Sequence, residues 1–152
     1  MTAPSRTEQP TLHDVLGAPL PPAPAYGSNS IADVLESASS LVAQRSLARP
    51  AHALDSDPAF HAVADPLNLA GRLAEQDVDP VSFRHACVIM VDGLGEQLLN
   101  SYGGYAPALR KTLNLGPLDA AFPTTTAASL TSLGTGTAPG AHGIAGYEVR
   151  NP

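Results

Sequence analysis

The sequence predicts an α/β fold with a mostly parallel sheet, and three observations lead there. A continuous apolar run, His85-Ala86-Cys87-Val88-Ile89-Met90-Val91, reads as a strand buried on both faces. It breaks off at Asp92-Gly93-Leu94-Gly95 and gives way to a helical stretch, Glu96 to Tyr102. A second strand candidate, Leu118 to Phe122, is broken by Pro123 and followed by a helix candidate, Ala127 to Leu133. The order strand, helix, strand, helix is that of an α/β domain.

The remaining elements follow in chain order. Residues 1–30 hold six of the 15 prolines, densest at Leu20-Pro21-Pro22-Ala23-Pro24, and are expected to be a disordered or extended lead-in. Ser30 is a helix cap candidate, and Ile31, Val34, Leu35, Ala38, Leu41 and Val42 follow at helical spacing. That helix is expected to run to about Leu47 and to stop before Pro50. Residues 48–66 read as irregular, and Leu67 to Ala74 as a short helix. Pro107 to Leu113 suits a helix with proline in its first turn. Three regions result: a lead-in over 1–30, a helical and irregular segment over 31–80, and an α/β portion over 81–152.

Composition narrows the function classes. The chain has 152 residues, one domain's worth. Hydrophobic residues make up 43% but aromatics only 5%, with no Trp, so the core is adequate in count and small in volume. Eight basic residues face 14 acidic ones, and no Lys/Arg run appears, which argues against nucleic-acid binding through a basic patch. The single cysteine, Cys87, gives no disulfide framework and no Cys-based zinc site. The N-terminus lacks an apolar h-region, and the longest apolar run, Ala86 to Val91, is far short of the roughly 20 residues of a membrane span. A cytoplasmic protein with no membrane association is expected.

Chemistry is most readily placed where the strand candidates end, because ligands of open α/β sheets gather outside the carboxyl ends of strands. Asp92 sits at such an end. A carboxylate leaving a buried strand needs a partner, either a divalent metal or the amides of the next loop, which Gly93 and Gly95 let fold tightly. It can equally be a plain helix cap. The second place is Phe122-Pro123-Thr124-Thr125-Thr126-Ala127-Ala128-Ser129, where hydroxyls stand at a helix start. The free N–H groups there suit a phosphate, and a hydroxyl there can attack a phosphoryl group once something activates it. Simple N-capping by threonine is the competing reading. No GxGxxG, P-loop, GxSxG or HExxH pattern is present. The histidines are read as surface or loop residues, and His142, near the candidate site, as structural.

Taken in order, five blocks resemble one family. They are Val88-Ile89-Met90-Val91-Asp92-Gly93-Leu94-Gly95, Ala106-Pro107-Ala108-Leu109, Phe122-Pro123-Thr124-Thr125-Thr126, Leu133-Gly134-Thr135-Gly136 and Pro139-Gly140-Ala141-His142-Gly143-Ile144. Together residues 88–147 resemble the N-terminal part of the type I phosphodiesterase/nucleotide pyrophosphatase proteins of the alkaline phosphatase superfamily. The resemblance implies the N-terminal portion of an alkaline-phosphatase-like, mostly parallel sheet flanked by helices, incomplete in this chain. It implies a hydrolase of small phosphate esters using two divalent metal ions, zinc in that family. Asp92 falls on a metal-binding aspartate, and Thr126 on the threonine nucleophile that also touches a metal. The N–H of Ala127 would face the developing phosphoryl charge.

The sequence departs from that pattern in three places. Where the nucleotide pyrophosphatases carry a phosphate-binding asparagine, this chain has Tyr147, which makes Tyr147 a substrate-binding candidate and weakens a nucleotide-diester preference. Ala127 stands where an aromatic residue would help stack a base. After Thr126 come His142 and no aspartate, so the family's later metal ligands are missing and the chain is expected to be an N-terminal fragment or a truncated product, inactive alone. The alternative is a non-catalytic remnant that acts as a binding or interaction module through an exposed sheet edge. A sulfatase would need a Cys-x-Pro-x-Arg segment, which Cys87 does not begin, and an alkaline phosphatase proper would carry serine at the nucleophile position.

Overall fold

In the computed structural model, Gly17, residues 22–47 and residues 64–147 are described. Of the lead-in expected over 1–30, residues 1–21, Gly17 apart, lie outside the described residues, while 22–30 hold a turn over 26–28 and the bridge from Ser30 to Asp119; of the irregular stretch expected over 48–66, residues 48–63 lie outside them.

A 3-10 turn, Ile31–Asp33, opens directly into α1, Val34–Leu47. Asp33 fixes this start. Its buried carboxylate accepts from the N–H of Ser30 at 2.8 Å, the hydroxyl of Ser30 at 2.9 Å and the N–H of Gly27 at 2.9 Å. Three donors replace the water the carboxylate has lost, which is what allows it to be buried. Gly27 reaches this position with φ at +84°, a backbone angle that glycine adopts without steric cost.

Helix α2, Leu69–Ala74, starts on Asp65, whose two carboxylate oxygens accept from the N–H groups of Leu69 at 2.9 Å and Ala70 at 3.0 Å. Then come α3, Glu96–Tyr102, α4, Thr126–Thr135, and the short α5, Pro139–His142. Proline leads α5, where its missing N–H is no loss. The helix expected over Pro107 to Leu113 reduces to a 3-10 turn, Leu109–Lys111.

The core is formed where α4 packs on the Ile31–Asp33 turn and on α1, with α2 also packed on α1. Its buried apolar side chains are Ala32, Ala38, Leu41, Leu67, Leu73, Ala121 and Ala128. Four of these are alanines, so apolar burial is thin and polar ties carry part of the fixing. The hydroxyl of the fully buried Ser37 accepts from the N–H of Leu67 at 3.0 Å and pins α1 to the start of the α2 region. Arg72 donates to the carbonyl of Leu115 at 2.8 Å.

The expected α/β architecture, an alkaline-phosphatase-like parallel sheet, is not formed: among the described residues there are helices, turns and irregular segments, and no strand. The run 85–91 has no regular secondary structure, and Val88, Ile89 and Val91 are 38%, 79% and 56% exposed. The physical reason is pairing. An apolar run becomes a strand only when its N–H and C=O groups meet a neighbouring strand, and no described segment pairs with it. The segment expected as a second strand, Leu118 to Phe122, shows a single parallel bridge, Asp119 to Ser30. No described helix is long and apolar enough to cross a membrane.

Candidate functional site

The start of α4 separates the roles of its threonines. Thr125 is the N-cap: its hydroxyl accepts from the N–H of Ala128 at 3.2 Å and donates to the carbonyl of Ala145 at 2.8 Å. Capping is thereby done, and it is done by Thr125. Thr126, the first helical residue, turns its hydroxyl elsewhere and donates to Oδ2 of Asp92 at 3.2 Å.

Asp92 lies in the turn that ends the apolar run. Gly93 has φ at +71°, and the N–H of Leu94 reaches back to the carbonyl of Val91 at 3.4 Å. The plain-cap reading of Asp92 does not hold, because the N-cap of α3 is Gly95, which has no side-chain cap bond. Instead the carboxylate sits at the N-terminal end of α4, where the helix dipole favours negative charge. Asp92 and Thr126 share the wall of an open cavity of about 640 Å³, lined also by Gly93, Gly95 and Ser129 and by the aliphatic side chains of Ile31, Val34, Val88, Leu118 and Leu133.

The other two site candidates are placed differently. Ala127 is the second residue of α4, so its N–H has no earlier carbonyl within the helix to donate to. Tyr147 lies beyond α5, 86% exposed, with no hydrogen bond joining it to Asp92 or Thr126 among the described residues. His142 has a structural place. Ile144 N–H donates to its Nδ1 at 3.1 Å, so that nitrogen carries no proton, and Nε2–H then donates to the hydroxyl of Ser132 at 3.0 Å. The Ser132–His142 contact escaped sequence reading, because ten residues and a chain reversal separate its members.

With this geometry in view, one part of the chain can be set beside a known family. Residues 86–152 match the type I phosphodiesterase / nucleotide pyrophosphatase family model. The matched segment is consistent with a partial, N-terminal region of that family, and it contains Asp92, Thr126, Ala127 and Tyr147. No curated protein and no solved structure matches the chain.

The family is generally metal-dependent, so the donor set can be weighed against that chemistry. Among the described residues no three His, Cys, Asp or Glu side chains come together to hold an ion. A catalytic zinc usually takes three protein ligands and keeps one open position. One carboxylate and one hydroxyl therefore do not make a site for two ions.

Proposed function

We propose that the matched segment of this chain supplies the nucleophile of a phosphodiesterase/pyrophosphatase-type hydrolase acting on a small phosphate ester. In this reading Thr126 Oγ1 attacks phosphorus. A bond forms between that oxygen and phosphorus, the bond to the leaving-group oxygen breaks, the hydroxyl proton passes through solvent to the departing oxygen, which leaves as an alcohol, and a phosphothreonine ester remains for hydrolysis. The observation that carries the reading is the 3.2 Å contact between Thr126 Oγ1 and Asp92 Oδ2, made by a hydroxyl not used for capping. Asp92 holds the hydroxyl in place, and the first-turn N–H of Ala127 is set to meet negative charge that develops on the phosphoryl group. Tyr147 is assigned to the substrate side, as a single O–H donor.

Asp92 and Thr126 are further proposed as this chain's contribution to binding divalent ions. Since no third donor joins them among the described residues, the 152-residue polypeptide is proposed to be inactive by itself. A carboxylate is far too weak a base to ionise an alcohol, so Thr126 stays a poor nucleophile. The test is hydrolysis of a nitrophenyl phosphodiester with zinc added, together with zinc stoichiometry. No turnover is expected from the 152-residue chain, and turnover sensitive to Thr126→Ala is expected from a chain extended with the later region of the family. Turnover by the short chain, or full rate after Thr126→Ala in the long one, overturns the assignment.

One observation favours a second reading, a non-catalytic interaction module. The apolar stretch Val88 to Val91 is exposed, with its backbone unpaired among the described residues, and such a stretch can accept a partner strand. An extended chain that binds no zinc and turns over no diester would favour it.

A further inference from the structure

The segment ahead of α1 lies outside the family match, yet it is hydrogen-bonded along the stretch that leads into Thr126. Ala25 N–H donates to a carboxylate oxygen of Asp119 at 2.9 Å, and Asn29 Nδ2 donates to the carbonyl of Pro117 at 3.1 Å. Asp119 N–H donates to the carbonyl of Asn29 at 3.0 Å, and Ile31 N–H to the carbonyl of Asp119 at 2.9 Å. The last tie is nearest to the site: Phe122 N–H donates to the hydroxyl of Tyr26 at 3.0 Å.

We propose that Tyr26 is a positioning residue for Thr126, acting through the Phe122 backbone; the proposal rests on the reading of Thr126 as nucleophile. Little freedom separates the two points. Pro123 has its φ locked by its ring. Thr125 N–H donates back to the carbonyl of Pro123 at 2.8 Å, which closes a three-residue turn. Thr126 follows as the first residue of α4. The body of α4 rests on the Ile31–Asp33 turn, which continues directly from the segment that carries Tyr26. One N-terminal segment thus holds the approach to Thr126 at Phe122 and the helix behind it. A shift at Phe122 has only the Pro123–Thr125 turn in which to be absorbed before it reaches the hydroxyl that faces Asp92.

The test is Tyr26→Phe in the 152-residue chain, followed by nuclear magnetic resonance, with Asn29→Ala as the comparison. Removing the Tyr26 hydroxyl is expected to speed Phe122 amide exchange by roughly five- to tenfold, the effect of one lost hydrogen bond. The three-bond couplings that report Thr126 χ1 are expected to move from single-rotamer values toward averaged ones. Exchange within α4, at Ser132 and Leu133, is expected to stay within about twofold of the parent. Asn29→Ala, which leaves the Phe122 tie in place, is expected to keep the Thr126 couplings. Unchanged Thr126 couplings in Tyr26→Phe overturn the proposal. So does loss of protection throughout α4, which would make Tyr26 a general stability element. These readouts need no turnover, so they stand apart from whether Thr126 is the nucleophile.

Discussion

Thr126 and Asp92, 34 positions apart in the chain, meet through a hydrogen bond from Oγ1 to Oδ2 of 3.2 Å, while the neighbouring Thr125 takes the whole capping duty of α4. Two adjacent residues of the same type therefore have opposite expected effects. Thr125→Ala removes an acceptor for Ala128 N–H and the donor to Ala145, and is expected to cost about 1–2 kcal/mol of stability. Thr126→Ala is expected to change stability by less than about 0.5 kcal/mol, because it removes one solvent-accessible hydroxyl contact. Chemical denaturation of the two variants beside the parent checks the contrast, and equal losses would contradict the division of roles.

Asp33 is the most consequential polar residue of the core. Asp33→Ala strands the N–H and hydroxyl of the buried Ser30 and removes the acceptor of the Gly27 N–H. Losing an acceptor shared by three donors is expected to destabilise by about 3 kcal/mol. Asp33→Asn keeps the shape and part of the accepting capacity, so it is expected to lose less. A denaturation midpoint for Asp33→Ala within error of the parent would contradict this.

The juxtaposition of Asp92 and Thr126 was more legible in the sequence than the fold. Asp92 and Thr126 each follow a sharp break in texture, apolar run to Gly-rich turn and Pro to hydroxyl cluster, and local chemistry of that kind survives whatever the long-range pairing does. The α3 and α4 positions were legible for the same reason, since caps and breakers act within a few residues. The sheet was misread because an apolar run records a wish to be buried and not the partner that buries it. Val88 to Val91 fit a central strand by composition, yet lie exposed and unpaired among the described residues. The docking of Ala25 to Ile31 onto Pro117 to Phe122 was illegible too. It depends on one tyrosine hydroxyl, one asparagine amide and backbone groups, which leave no periodic signal.

His142 ties α5 to α4 through Ser132. His142→Ala leaves the hydroxyl of the buried Ser132 without its partner and frees Ile144 N–H, so a loss of about 1–3 kcal/mol is expected. The α4 element packed against it, Thr126–Thr135, has no charged side chain to compensate. Thermal unfolding of His142→Ala measures the loss, and an unchanged midpoint would show the Ser132–His142 contact to be idle.

Gly136 ends α4 with φ at +67°, and a Cβ placed there would stand 3.8 Å from the carbonyl oxygen of Ala32, an ordinary contact. Gly136→Ala is therefore opposed by backbone strain alone, expected at about 1–2 kcal/mol. Gly136→Asn, which tolerates the left-handed region better, is expected to lose less. Equal stabilities of the alanine and asparagine variants, read by denaturation, would contradict the strain argument.

The most direct test of Thr126 as nucleophile is a rapid acid quench of an extended, turning-over chain with a phosphodiester, followed by mass spectrometry of its peptides. The expected result is a phosphoester mass increment confined to Thr126, absent from the Thr126→Ala variant and retained in Thr125→Ala. An increment on Thr125 or Ser129, or steady turnover with Thr126 replaced by alanine, would contradict the assignment.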